Sequence, residues 1–173
     1  MTSTPAQQAQ PLRVAMIGHA FMGAAHSHAW RTAPRFFDLP LTPQLSVLCG
    51  RNPETTAAAA DRLGWAEWST DWREVVARDD IDLVDICTPG DTHAEIAIAA
   101  LEAGKHVLCE KPVNHDYHEV VRAADLAASN ITRGVAVADL LGGDQPPEAN
   151  CQIATAVDAG AFVEMFLERV SAL

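Results

Sequence analysis

The stretch that most constrains this chain runs from Ile81 to Val113, IDLVDICTPGDTHAEIAIAALEAGKHVLCEKPV. Ile81, Leu83, Val84, Ile86 and Cys87 form a nearly continuous apolar run, the pattern of a strand covered on both faces rather than one. Thr88-Pro89-Gly90 stops it. Asp91 or Thr92 is placed to cap the next helix, with Glu95 answering the cap and Ile96, Ala99, Ala100 and Ala103 recurring at helical spacing. Gly104 ends that helix, and His106-Val107-Leu108-Cys109 reads as a second short buried strand. A strand, a helix and a strand make a parallel unit. Glu110-Lys111-Pro112 therefore lies just past a carboxyl strand end, which is where open parallel sheets bind ligands.

The same alternation begins upstream. Val14-Ala15-Met16-Ile17 predicts a short buried strand, followed by Gly18-His19-Ala20-Phe21-Met22-Gly23 and a helix to about Thr32. In a dinucleotide-binding turn the first glycine permits a tight bend, a small middle residue lets backbone amides approach a pyrophosphate, and the last glycine lets helix and sheet pack closely. The helix dipole favours the anion. Gly18, Ala20, Phe21, Met22 and Gly23 are accordingly candidate cofactor contacts, with Ala20 adding a methyl where glycine is usual; a plain strand-to-helix turn is the alternative. Pro34 to Pro43 reads as an insertion-like loop and Leu45 to Cys49 as the second strand. An acid at that strand's end would bind an adenosine ribose; Gly50-Arg51-Asn52 has none. Arg51 can instead pair with a 2′-phosphate, which inclines the choice of NAD or NADP slightly towards NADP, unless Arg51 is merely a solvated loop residue.

Asn52-Pro53-Glu54 predicts a helix start and Gly64 its end. Ser69, Thr70 or Asp71 can cap a further helix, Trp72 to Ala77. Trp65, Trp68 and Trp72 read as packing at the sheet edge in preference to a stacking platform. The fold class is thus α/β: a doubly wound, mostly parallel, Rossmann-like sheet with a short carboxyl-terminal helical extension. Residues 1–11 are expected to be a disordered tail, 12–130 the dinucleotide-binding domain and 131–173 the extension.

A formal charge of −11 argues against nonspecific nucleic-acid binding and anionic membrane surfaces, and favours a small-molecule ligand. The four cysteines lack C-x-x-C spacing and read as small buried thiols. Met1 to Pro11 has no leader-like pattern, so a cytoplasmic protein is the expectation. His26 and His28, two apart on one helix, cannot share a face. His115 and His118, near Asp116 and Glu119, have spacing that suits a metal but sit in the first turn of an amphipathic helix, 116–128; a solvated turn is preferred and no metal is expected.

VAMIGHAFMGAAHSHAW, DDIDLVDICTPGDTHAEIAIAALEAGKHVLCEKP and their order resemble the amino-terminal half of the Gfo/Idh/MocA oxidoreductases. The resemblance implies hydride transfer between nicotinamide and a sugar, inositol or related polyol. By position it places Thr88, Pro89 and His93 along the cofactor, and Glu110, Lys111 and Pro112 at the nicotinamide end, with Lys111 catalytic. An ammonium at the rim of a cleft can also stabilise a developing alkoxide on general grounds. Gly90 stands where the family often has asparagine. After Asn130 the resemblance fades: the family's acid/base histidine comes from a later sheet domain, and no histidine follows His118. A shortened, non-catalytic dinucleotide-binding or interaction module is therefore the alternative function, and a partner copy supplying the missing wall would reconcile the two. A Rossmann-like methyltransferase fits less well, since it gives the lysine-proline strand end no role.

Overall fold

The computed structural model describes residues 10–37, 39, 41–111, 118, 122, 123 and 126. Five parallel strands, β1 (Gln10–Ile17), β2 (Leu41–Cys49), β3 (Glu67–Ser69), β4 (Leu83–Ile86) and β5 (His106–Cys109), form one sheet in the order β3-β2-β1-β4-β5. Helices α1 (Phe21–Phe36), α2 (Pro53–Leu63), α3 (Trp72–Val76) and α4 (His93–Glu102) connect them. This is the doubly wound, Rossmann-like sheet that the alternating pattern implies, with the chain reversing its direction of travel beside β1.

Strand parity divides the core. Val14, Met16, Leu48, Leu83 and Leu108 point to one face and pack with Trp30 of α1 and Ala59 and Ala60 of α2. Their neighbours Ala15, Ile17, Val47, Val84 and Val107 point to the other, against Val75 of α3 and Ile96 and Ala100 of α4. Each central strand is buried on both faces, which explains its continuous apolar run.

Local signals set most boundaries. Asn52 accepts from the Thr55 amide at 3.0 Å, Pro53 opens α2, and Gly64 closes it with a left-handed φ of 84°. Asn52→Ala is expected to cost about 1 kcal/mol in urea unfolding. Asp71 caps α3 by accepting from Arg73 and Glu74.

The structure corrects several expectations. The first strand starts at Gln10, within the expected tail, because parallel pairing with Leu41 and Thr42 extends the ladder. Pro34 to Pro43 is not an inserted loop: α1 continues to Phe36 with Pro34 inside its last turn, and Pro43 lies within β2. Among the described residues that half of β2 pairs only with β1, so the lost amide is tolerated on its other edge. Between Leu45 and Val47 the register slips, leaving Ser46 as the extra residue. At α4 the expected capping box is replaced by a 3-10 turn, Gly90–Thr92, and Glu95 pairs with Arg73 instead. The tryptophans, by contrast, pack as core and rim as their positions imply: Trp65 is buried, its indole donating to Ser27 Oγ at 3.0 Å, Trp72 packs partly buried against the core, and Trp68 is exposed on β3. The helix expected over 116–128 lies outside the described residues except at His118, Arg122, Ala123 and Leu126, and so does all of 131–173. No helix among the described residues is long and apolar enough to cross a membrane.

Candidate functional site

The candidate site lies at the carboxyl ends of β1, β4 and β5, beside which the chain reverses its direction of travel, and it begins with the glycine turn. Gly18 has φ +103°, and its amide donates to Cys49 O at 2.9 Å, tying the turn to the end of β2. A Cβ there would stand 2.6 Å from Cys87 O. At Gly23 a Cβ would stand 2.2 Å from Gly18 O, so α1 is pressed directly onto the turn. The two glycines thus do what their spacing implies. Ala20 is the N-cap of α1 and offers no side-chain cap, unlike Asn52 on α2 and Asp71 on α3. The first amides of α1 are therefore unclaimed by a capping side chain, and Ala20 and Phe21 beside them are exposed while Met22 is half-buried. That arrangement fits a dinucleotide pyrophosphate. Past β2, Gly50 donates to Ser69 O at 3.1 Å, and Arg51 is exposed.

After β4 the chain turns through Thr88 and Pro89. The Thr92 hydroxyl lies 2.8 Å from both Thr88 Oγ1 and Pro89 O, folding the turn over the start of α4. His93 is buried beneath it, with Nε2 2.6 Å from Thr88 O. Its contribution to the site is the placement of that carbonyl, not a surface of its own.

Sequence reasoning missed a buried polar cluster around Asp85. Asp85, in the middle of β4, is fully buried and faces α1, as its spacing from Leu83 requires. Its carboxylate accepts from Trp30 Nε1 at 2.8 Å and from His26 Nδ1 at 3.0 Å. The other ring nitrogen, Nε2, donates to Glu110 Oε1 at 3.0 Å. Burial alone would pull the imidazole towards neutrality. The charge of Asp85 and hydrogen bonds to Asp85, Cys87 and Glu110 outweigh it, so His26 stays protonated well above the ordinary histidine range. Glu110 is held below the ordinary carboxylate range, chiefly by its bond to His26, with burial opposing. Burial and Asp85 push the Cys87 thiol up to about 12. His26 Nδ1, Asp85 and Cys87 Sγ lie within 4.8 Å of one another, a spacing that would also suit a metal. With both ring nitrogens donating to carboxylates, however, the imidazolium has no lone pair to offer.

The cluster fixes the end of β5. Glu110 commits Oε1 to His26 and accepts the Lys111 amide on Oε2 at 3.1 Å, leaving the exposed Lys111 side chain beyond it. His26 thereby links the helix of the glycine turn to the E-K-P segment. Gly18, Ala20, Phe21, Met22, Gly23, Thr88, Pro89, Glu110 and Lys111 all lie at the carboxyl side of the sheet; Arg51 lies farther along, past β2; Pro112 is outside the described residues. One signal marked the missed group: a lone aspartate inside a strand apolar on both faces requires a buried partner.

Comparison with known proteins agrees with this geometry. The profile of the oxidoreductase family with an NAD-binding Rossmann fold, Gfo/Idh/MocA, matches residues 12–138. Levoglucosan dehydrogenase of Pseudarthrobacter phenanthrenivorans is 50% identical over 105 residues, covering 60% of this chain and 27% of the relative. The crystal structure of an oxidoreductase domain protein from Kribbella flavida superposes with TM-score 0.68 at 63% identity, over 70% of this chain and 32% of that one. A levoglucosan dehydrogenase in complex with NADH superposes with TM-score 0.66 at 47% identity, over 68% of this chain and 32% of that one. The chain thus spans about a third or less of the length of these relatives. With the fold, the glycine turn and the matched residues in agreement, the chain belongs to the Gfo/Idh/MocA oxidoreductase family.

Proposed function

We propose that this chain carries the dinucleotide-binding part of an NAD(P)-dependent oxidoreductase that moves hydride between nicotinamide and a sugar or related polyol, with Lys111 at the reacting hydroxyl. The observation that carries the reading is the His26–Glu110 contact, which fixes the strand end on which Lys111 stands. The dinucleotide, when bound, supplies the hydride acceptor. The unclaimed amides of α1 hold its pyrophosphate, and the Thr88–Pro89 turn forms a neighbouring wall. Lys111 would hold the substrate hydroxyl oxygen and stabilise its alkoxide character while hydride passes to the nicotinamide, the hydroxyl proton passing to water. Glu110, occupied on both oxygens, is a positioning residue for Lys111. Arg51 is the side chain placed to meet a 2′-phosphate, should NADP be the cofactor.

A second reading is a module that binds the dinucleotide without turnover; it is favoured by Glu110, the carboxylate next to Lys111, being engaged on both oxygens. Oxidation of a panel of sugars and polyols, with NAD and with NADP, separates the two. Turnover is expected to fall roughly 10²–10⁴-fold in Lys111→Ala with cofactor affinity retained. Wild-type rates in that variant remove Lys111 from the chemistry. No turnover of any substrate by the unaltered chain, with cofactor bound, establishes the module.

A further inference from the structure

We infer that His19 accepts a hydrogen bond from the adenosine ribose 2′-hydroxyl of the dinucleotide, in place of the carboxylate that commonly ends the second strand of such folds. This rests on the dinucleotide reading above. The turn and the end of β2 are joined by the bond from the Gly18 amide to Cys49 O, so His19, the next residue, lies over Gly50. A Cβ on Gly50 would stand 2.5 Å from both Cδ2 and Nε2 of the ring; only glycine leaves it this seat. Gly50-Arg51-Asn52, directly after β2, includes no acid to bind a ribose.

The protonation of the ring follows from its neighbour. Thr56 Oγ1 donates its one proton to Asn52 O at 2.6 Å, so towards His19 Nε2, 3.2 Å away, it can only accept. A neutral His19 therefore carries its proton on Nε2 and a lone pair on Nδ1. Cδ2 and Nε2 face Gly50, and Nδ1 is the ring atom opposite that edge, so it is turned away from the strand end. His19 is half-buried, and Nδ1 makes no hydrogen bond among the described residues. An acceptor of fixed tautomer is thus carried by a residue seated over the end of β2, beside the place of the adenosine ribose in a dinucleotide-binding fold.

The test is a ligand-by-variant cycle at pH 8, where a 2′-phosphate is fully ionised. NADH, 2′-deoxy-NADH and NADPH are titrated into the chain and into His19→Ala, following nicotinamide fluorescence. The unaltered chain is expected to bind NADH about tenfold more tightly than the 2′-deoxy analogue, the size of one hydrogen bond. His19→Ala is expected to bind the two alike, with its loss confined to NADH. NADPH affinity should be unchanged in the variant, because its 2′-phosphate has no proton to give at that pH. An equal loss for all three ligands would make His19 merely structural and overturn the inference. So would an unaltered chain that binds NADH and the deoxy analogue equally. Binding of none of the three by the unaltered chain would overturn the dinucleotide reading itself, an outcome distinct from either.

Discussion

Asp85→Ala is expected to lower the unfolding free energy by about 3–5 kcal/mol, the usual cost of removing one partner from a buried ion pair. The variant leaves the His26 imidazolium facing Glu110 alone and strips Trp30 Nε1 of its acceptor in the core. Against a typical domain stability of roughly 5–15 kcal/mol, that loss moves the urea midpoint far to the left. Asp85→Asn should cost less, since its amide oxygen can still accept from Trp30. The double variant His26→Leu, Asp85→Leu is expected to recover much of the loss, because both charges leave the interior together. A single Asp85→Ala variant within about 0.5 kcal/mol of wild type would mean that the cluster does not hold the fold.

The cluster also sets a pH dependence. His26 has a folded pKa above its unfolded value of 6.5, so its contribution is complete below pH 6.5 and declines as pH rises from there. Glu110 has a folded pKa below its unfolded value of 4.5; its contribution is present above that pH and is lost as pH falls through the folded value. Wild-type stability should thus fall on both sides of a plateau between about pH 4.5 and 6.5. In His26→Gln the alkaline slope should flatten. An unchanged slope above pH 6.5 would show that His26 does not carry it.

Gly18→Val is expected to weaken NADH binding by about 5- to 150-fold, because the β-branched residue enters a positive-φ conformation that costs on the order of 1–3 kcal/mol. It also places a Cβ 2.6 Å from Cys87 O, so β1 and β4 must part at their carboxyl ends or the turn must move. Either change displaces the first amides of α1. Circular dichroism on the same sample separates a moved turn from an unfolded chain. Unaltered NADH affinity in a folded Gly18→Val protein would place the dinucleotide elsewhere.

The features legible in the sequence were the local ones. Gly18, Gly64 and Gly104 all adopt the left-handed φ that their turns require, and Asn52 and Asp71 cap the helices that follow them. The strand, helix and strand of 81–113 were readable because burial on both faces leaves an unbroken apolar run. Proline misled at both ends of the expected loop: Pro34 is tolerated in a last helical turn and Pro43 on the edge of β2 away from β1, contexts fixed only by tertiary pairing. The His26 cluster failed to appear for a related reason. Comparing His26 only with His28 on its own helix hid partners 59 and 84 residues away. The inward turn of Glu110 is equally invisible in the adjacent residues: its side chain goes to His26 and accepts the Lys111 amide.

The most direct test of the account is a titration of the purified chain with NADH and NADPH, followed by nicotinamide fluorescence, with Gly18→Val alongside. Saturable binding of at least one dinucleotide, lost in the folded variant, is the expected result and places the ligand on the turn between β1 and α1. No saturable binding of either, or binding indifferent to Gly18→Val, would contradict the claim that the carboxyl end of this sheet is a dinucleotide site.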